Sequence, residues 1–103
     1  MRIEWTEPAL DDLAAIREYI ARDSEQYAVQ FVGRIIDAVE KLSSFPEMGR
    51  KVPESRRRDR VRELLFQNYR IIYRLASERI QIITVLHGAR DLRRMKPKPW
   101  EVV

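Results

Sequence analysis

At 103 residues the chain has the length of one domain and not two. It has no cysteine, which rules out disulfides, thiolate metal sites and cysteine nucleophiles. Apolar residues at 45% support a core, and no apolar run nears the roughly 20 residues that cross a bilayer. A secreted scaffold, a membrane protein and a large multidomain enzyme are therefore not expected, and a reducing cytoplasm fits the composition.

The predicted elements follow in order. Arg2 to Trp5 alternates and reads as a short strand. Thr6 is an N-cap, Pro8 falls where a missing N–H is harmless, and Asp11 and Asp12 complement the helix dipole. Leu10, Leu13, Ala14, Ile16 and Ile20 form an apolar stripe, so the first helix runs to about Arg22. Asp23-Ser24 breaks the chain. A second helix then runs from about Glu25 to Ser43 on Ala28, Phe31, Val32, Ile35, Val39 and Leu42. The short polar link makes the two an antiparallel hairpin.

Ser43 to Glu54 reads as a loop, punctuated by Pro46, Gly49 and Pro53. Beyond it the period changes to two. Val61 to Phe66, Tyr69 to Leu75 and Ile80 to His87 are strands joined at Gln67-Asn68 and Ala76 to Arg79, which predicts an antiparallel meander. The fold class is α+β: a short strand, then a helical hairpin packed on a three- to four-stranded antiparallel sheet. The whole of 1–103 reads as one domain, with a basic tail over about 90–103.

Turn placement gives the sheet faces. Leu64, Phe66, Tyr69, Ile71, Tyr73, Leu75, Ile80, Ile82 and Leu86 fall on the side meeting the helices. Glu63, Arg70, Ile72, Arg74, Gln81, Val85 and His87 fall on the other, which its polarity predicts to be at least partly wet.

Charge is unevenly distributed. The formal net charge is +4, yet residues 1–49 hold 5 Lys+Arg against 10 Asp+Glu, whereas residues 50–103 hold 15 against 6. The second half should attract an anionic partner. Its cations cluster at Arg56, Arg57, Arg58 and Arg60, and again at Arg90, Arg93, Arg94 and Lys96, near Trp100.

Glu63, Arg70, Arg74 and His87 together form a candidate acid–base set. A carboxylate could take a proton, a guanidinium could stabilise an anionic phosphorane, and an imidazole could protonate a leaving group, as RNA cleavage through the 2′-hydroxyl requires. Glu63 between arginines equally reads as a cross-strand ion pair. One histidine without cysteine points to no metal site, and no cofactor is expected.

These residues resemble the RelE/ParE toxin superfamily of type II toxin–antitoxin systems. The likeness covers about residues 2–92. It rests on the opening Trp5-Thr6-Glu7-Pro8-Ala9-Leu10, the loop Phe45-Pro46-Glu47-Met48-Gly49-Arg50, Val61-Arg62-Glu63-Leu64, the strand Tyr69-Arg70-Ile71-Ile72-Tyr73 and the end His87-Gly88-Ala89-Arg90-Asp91. The resemblance implies a small toxin neutralised by a cognate antitoxin carrying a ribbon-helix-helix DNA-binding domain, with no membrane involvement. It leans to the ParE-like branch, which implies inhibition of DNA gyrase. On that reading Arg56, Arg57, Arg58, Arg60, Arg90, Arg93, Arg94, Lys96 and Trp100 are the expected target contacts. The RelE-like alternative is a ribosome-dependent mRNA interferase using Glu63, Arg70, Arg74 and His87. Against it, the lysine pair of that branch is represented only by arginines 56–58, and no tyrosine follows His87.

Overall fold

The computed structural model describes all residues, 1–103. Its elements are β1 (Arg2–Trp5), α1 (Glu7–Ala21), α2 (Glu25–Glu40), β2 (Arg50–Lys51), β3 (Val61–Phe66), β4 (Tyr69–Ala76) and β5 (Arg79–His87). Two helices lie on one face of a five-stranded sheet of order β1-β5-β4-β3-β2. No helix is long and apolar enough to cross a membrane.

The α+β class and the helical hairpin are as the sequence implies, and two features extend the expected sheet. Arg50–Lys51, read as loop, pairs antiparallel with β3, Arg50 opposite Glu63 and Lys51 opposite Arg62. β1 pairs parallel to β5. The α1–α2 hairpin and the meander carry the chain back so that the last strand lies beside the first. The two added strands make five in all, and the sheet is mixed.

Local chemistry explains the helices. The Thr6 hydroxyl oxygen accepts from the Ala9 N–H at 3.3 Å, and Ser24 caps α2 by accepting from the Tyr27 N–H at 3.1 Å. On α1 the buried stripe is Ala9, Leu13 and Ile16, with Ile20 half-buried. Leu10 and Ala14, expected in that stripe, are exposed. Position 9 rather than 10 completes the four-three-four spacing, and one residue is about 100° of helix rotation. α2 buries Ala28, Phe31, Ile35 and Val39 as its spacing predicts, and a 3₁₀ turn over Lys41–Ser43 buries Leu42.

The β3–β4 register is the expected one, with Phe66 opposite Tyr69 and Glu63 opposite Ile72. Between β4 and β5, Tyr73 opposes Ile82 as expected, but Ile72 opposes Thr84. Ile83 is therefore an extra residue on β5, a β-bulge that reverses the parity of everything after it. Val85 enters the helix-side core, and Leu86 moves to the far side.

That far side is not open. Val52, Val61, Ile72, Ile83, Leu86, Leu92 and Trp100 form a second buried cluster, with Met95 packed against it. The segment read as a basic tail thus lays its apolar residues over the sheet and turns its cations outward. An exposed far face would have left Ile72, Ile83 and Leu86 in water, and burial of each such side chain contributes about 1.5–3 kcal/mol.

The Phe45 to Arg50 loop is fixed from within. The Tyr73 hydroxyl is buried, accepts from the Gly49 N–H at 2.9 Å and donates to the Pro46 carbonyl at 2.8 Å. Burial pushes this phenol above its usual range, against the opposing effect of the Gly49 N–H. A Cβ on Gly49 would lie 2.6 Å from both the Glu63 carbonyl oxygen and the Tyr73 hydroxyl, so the backbone approaches too closely for any side chain.

Candidate functional site

The polar centre of the molecule is an alternating charge cluster, Arg50–Glu63–Arg70–Glu54. The side chain of Glu63 is wholly buried: its Oε1 accepts from Arg70 Nε and its Oε2 from Arg50 Nε, each at 2.6 Å. The terminal nitrogens of Arg70 form a fork on Glu54, at 3.1 and 2.8 Å. Hydrogen bonding to Arg70 holds the Glu54 carboxyl below its ordinary range, and the bonds to Glu54 and then Glu63 raise the Arg70 guanidinium further. Two carboxylates meet two guanidiniums, so the cluster is neutral. No buried side-chain polar atom in the molecule lacks a partner.

The strands determine this arrangement. Glu63 on β3 faces Arg50 across the two-residue β2 pair. Arg70 on β4 shares the far face of the sheet, and the turn after β2 brings Glu54 over it. Sequence reasoning missed Arg50 and Glu54, because their role depends on β2, too short to show a period.

Of the expected acid–base set, only Glu63 and Arg70 are together. Arg74 lies on the same face but is held by the tail, donating to the carbonyls of Trp100 and Val103 and to the Gln81 side chain. His87 lies on the opposite face. It is paired with Tyr69, whose ring it meets edge-on at 5.5 Å, and its Nδ1 accepts from the Ala89 N–H at 3.1 Å. The expected grouping of Glu63, Arg70, Arg74 and His87 on one wet face is thus corrected: the bulge at Ile83 sends His87 to the helix side, and the tail covers much of the rest. Chemically, both Glu63 oxygens are engaged and shielded from solvent, which suits a structural pair and not a proton acceptor.

The expected contact residues also divide. Arg56, Arg57, Arg58 and Arg60 are exposed around a 3₁₀ turn, Arg57–Asp59, which Asp59 closes by accepting from the Arg56 N–H at 2.7 Å. Arg90, Arg93, Arg94 and Lys96 are exposed, and Arg93 and Arg94 reach Asp91 at 3.3 and 3.5 Å. Trp100 is 3% exposed and is a core residue, which removes it as a contact. A buried indole in a basic tail reads as a surface anchor only while the far face is taken as open.

The fold and this surface define a small two-layer α+β protein with a neutral charge cluster centred on the buried Glu63 and a cationic exterior. Residues 3–92 match the family described as ParE toxin of type II toxin-antitoxin system, parDE. The chain belongs to this family of toxins. Toxin RelE2 of Caulobacter vibrioides (strain ATCC 19089 / CIP 103742 / CB 15) is 34% identical over 90 residues, covering 86% of this chain and 97% of that protein. Among solved structures, a chain of the chromosomal ParDE TA system from P. aeruginosa superposes with a TM-score of 0.70 at 26% identity, covering 84% of this chain and 95% of that one.

Proposed function

We propose that this toxin acts in the cytoplasm by binding rather than by cleaving, inhibiting DNA gyrase, and that a cognate antitoxin with a ribbon-helix-helix domain neutralises it. The observation that carries the reading is the separation of the acid–base set. His87 lies across the sheet from Glu63, and both Glu63 oxygens accept from guanidiniums at 2.6 Å. The ParE family match over residues 3–92 and the ParDE likeness support gyrase as the target. Target contacts fall to the exposed cations Arg56, Arg57, Arg58, Arg60, Arg90, Arg93, Arg94 and Lys96.

Purified toxin is expected to inhibit supercoiling by gyrase and to raise the yield of gyrase–DNA cleavage complexes, with His87→Ala as effective as the wild type. Supercoiling left untouched at stoichiometric toxin overturns the reading. The second reading, mRNA cleavage on the ribosome, is favoured by the RelE2 relative. Primer extension on translated message showing new ends that disappear in His87→Ala would establish it in place of the first.

A further inference from the structure

We infer that the concavity at the β2–β3 end of the sheet is a binding site for the phosphate backbone of a nucleic acid. The concavity encloses about 390 Å³, and its walls carry five cations: Lys51, Arg56, Arg57, Arg60 and Arg62. Four other concavities of the surface each include a carboxylate, at Glu47, at Glu54 and Asp91, at Glu54, Asp59 and Glu101, and at Asp12. This one has none.

The cations are also unpaired. Arg2, Arg50, Arg70, Arg79, Arg93 and Arg94 each reach a carboxylate within 3.5 Å, and none of the five does. Arg62 is instead held in place, donating to the Gly49 carbonyl at 2.7 Å. Five like charges around one hollow whose own lining holds no carboxylate give it a positive field that attracts an anion. Guanidinium forks match the oxygens of a phosphate.

Arg60 adds a second observation. Its φ is 53°, the left-handed region that glycine or asparagine ordinarily fills, and it lies outside the two hairpin turns. There it ends the 3₁₀ turn over Arg57–Asp59, its N–H donating to the Arg57 carbonyl, and this cap fixes where its side chain leaves the backbone beside Arg56 and Arg57.

The floor favours nucleic acid over an acidic protein segment. Val52 and Val61 are 2% and 3% exposed, so among the apolar side chains lining the hollow only the half-buried Leu75 is left for a peptide to cover. Disordered segments that fold on binding rely on such burial. Backbone phosphates are held chiefly by charge and counterion release. The inference deepens the toxin reading, on which it rests for the cellular target, but its test is separate. Gyrase inhibition could fail while oligonucleotide binding persists, and the reverse.

The test is fluorescence anisotropy of the full chain with labelled 20-mer DNA, single-stranded and duplex, across a salt series. Arg56→Ala/Arg57→Ala should weaken both probes about tenfold and lower the salt slope by about 1 per arginine removed. Arg60→Gly should lower affinity and slope likewise while melting no lower than the wild type, because glycine suits that φ. A merely structural Arg60 would leave binding unchanged. The inference is overturned if these variants bind as tightly as Arg34→Ala, a control on the exposed face of α2. It is equally overturned if a polyglutamate of matched charge displaces the oligonucleotide as well as unlabelled DNA does, which would assign the hollow to an acidic protein.

Discussion

Asp12 on α1 accepts the backbone N–H of Val85 on β5 at 2.9 Å, one of two links between the start of α1 and the bulge. Thr6 supplies the other, its hydroxyl lying 2.8 and 3.0 Å from the carbonyls of Ile82 and Ile83, and Thr84 donates its hydroxyl to Asp12. β1 follows β5 only as far as Ile82. Past that point the outer edge of β5 has no strand to pair with, and these side chains satisfy it in place of a ladder. The acid that appears in sequence as a helix-dipole residue is thus also a sheet partner.

Asp12→Ala should therefore cost about 1–3 kcal/mol, the range for leaving a buried donor unsatisfied. Urea unfolding measures it. A loss no larger than that of Asp11→Ala, an exposed neighbour on the same helix, would show that the Val85 contact contributes nothing.

Glu63 is the most consequential polar residue. Glu63→Gln leaves the buried Arg70, still held by Glu54, and the solvent-exposed Arg50 facing a neutral amide; breaking the buried Glu63–Arg70 pair costs up to about 3–5 kcal/mol. The expected outcome is a sharply lowered unfolding midpoint, with Arg70→Met comparable because it removes the partner of Glu54 and leaves Glu63 with Arg50 alone. A change under about 1 kcal/mol would mean that water reaches the cluster.

Acid should act through Glu54. Its carboxyl is held below the ordinary value of 4.5 by the hydrogen bonds from Arg70. A lowered folded-state pKa contributes stability that is fully present above 4.5 and is lost as pH falls through the folded value. The wild type should lose stability more steeply than Glu54→Gln on descending from pH 5 to pH 3. Parallel unfolding curves for the two proteins over that window would refute the assignment.

Trp100 ties the tail to the sheet. Trp100→Ala should cost about 3–5 kcal/mol, as large aromatic truncations in a core do, and should free the Arg74 guanidinium from the tail carbonyls. Hydrogen exchange should then rise across residues 92–101 and at Ile72 and Ile83, leaving α1 and α2 protected. Uniform loss of protection would instead make the tail part of the first folding unit.

The sequence by itself determined the helical hairpin, the three long strands and the β3–β4 register. Each rests on a pattern that local chemistry enforces: caps at Thr6 and Ser24, a three-and-four apolar spacing, and a two-residue turn at Gln67-Asn68 that sets Phe66 opposite Tyr69. The tertiary structure alone decided which face carries His87. Ile82-Ile83 and Val85-Leu86 are adjacent apolar pairs, so alternation carries no parity there, and a single extra residue exchanges the two faces without altering the pattern. It also decided that Leu92, Met95 and Trp100 cover the sheet. Their spacing has no period, and only the apolar surface that Val61, Ile72, Ile83 and Leu86 present together on the far side gives them something to bury.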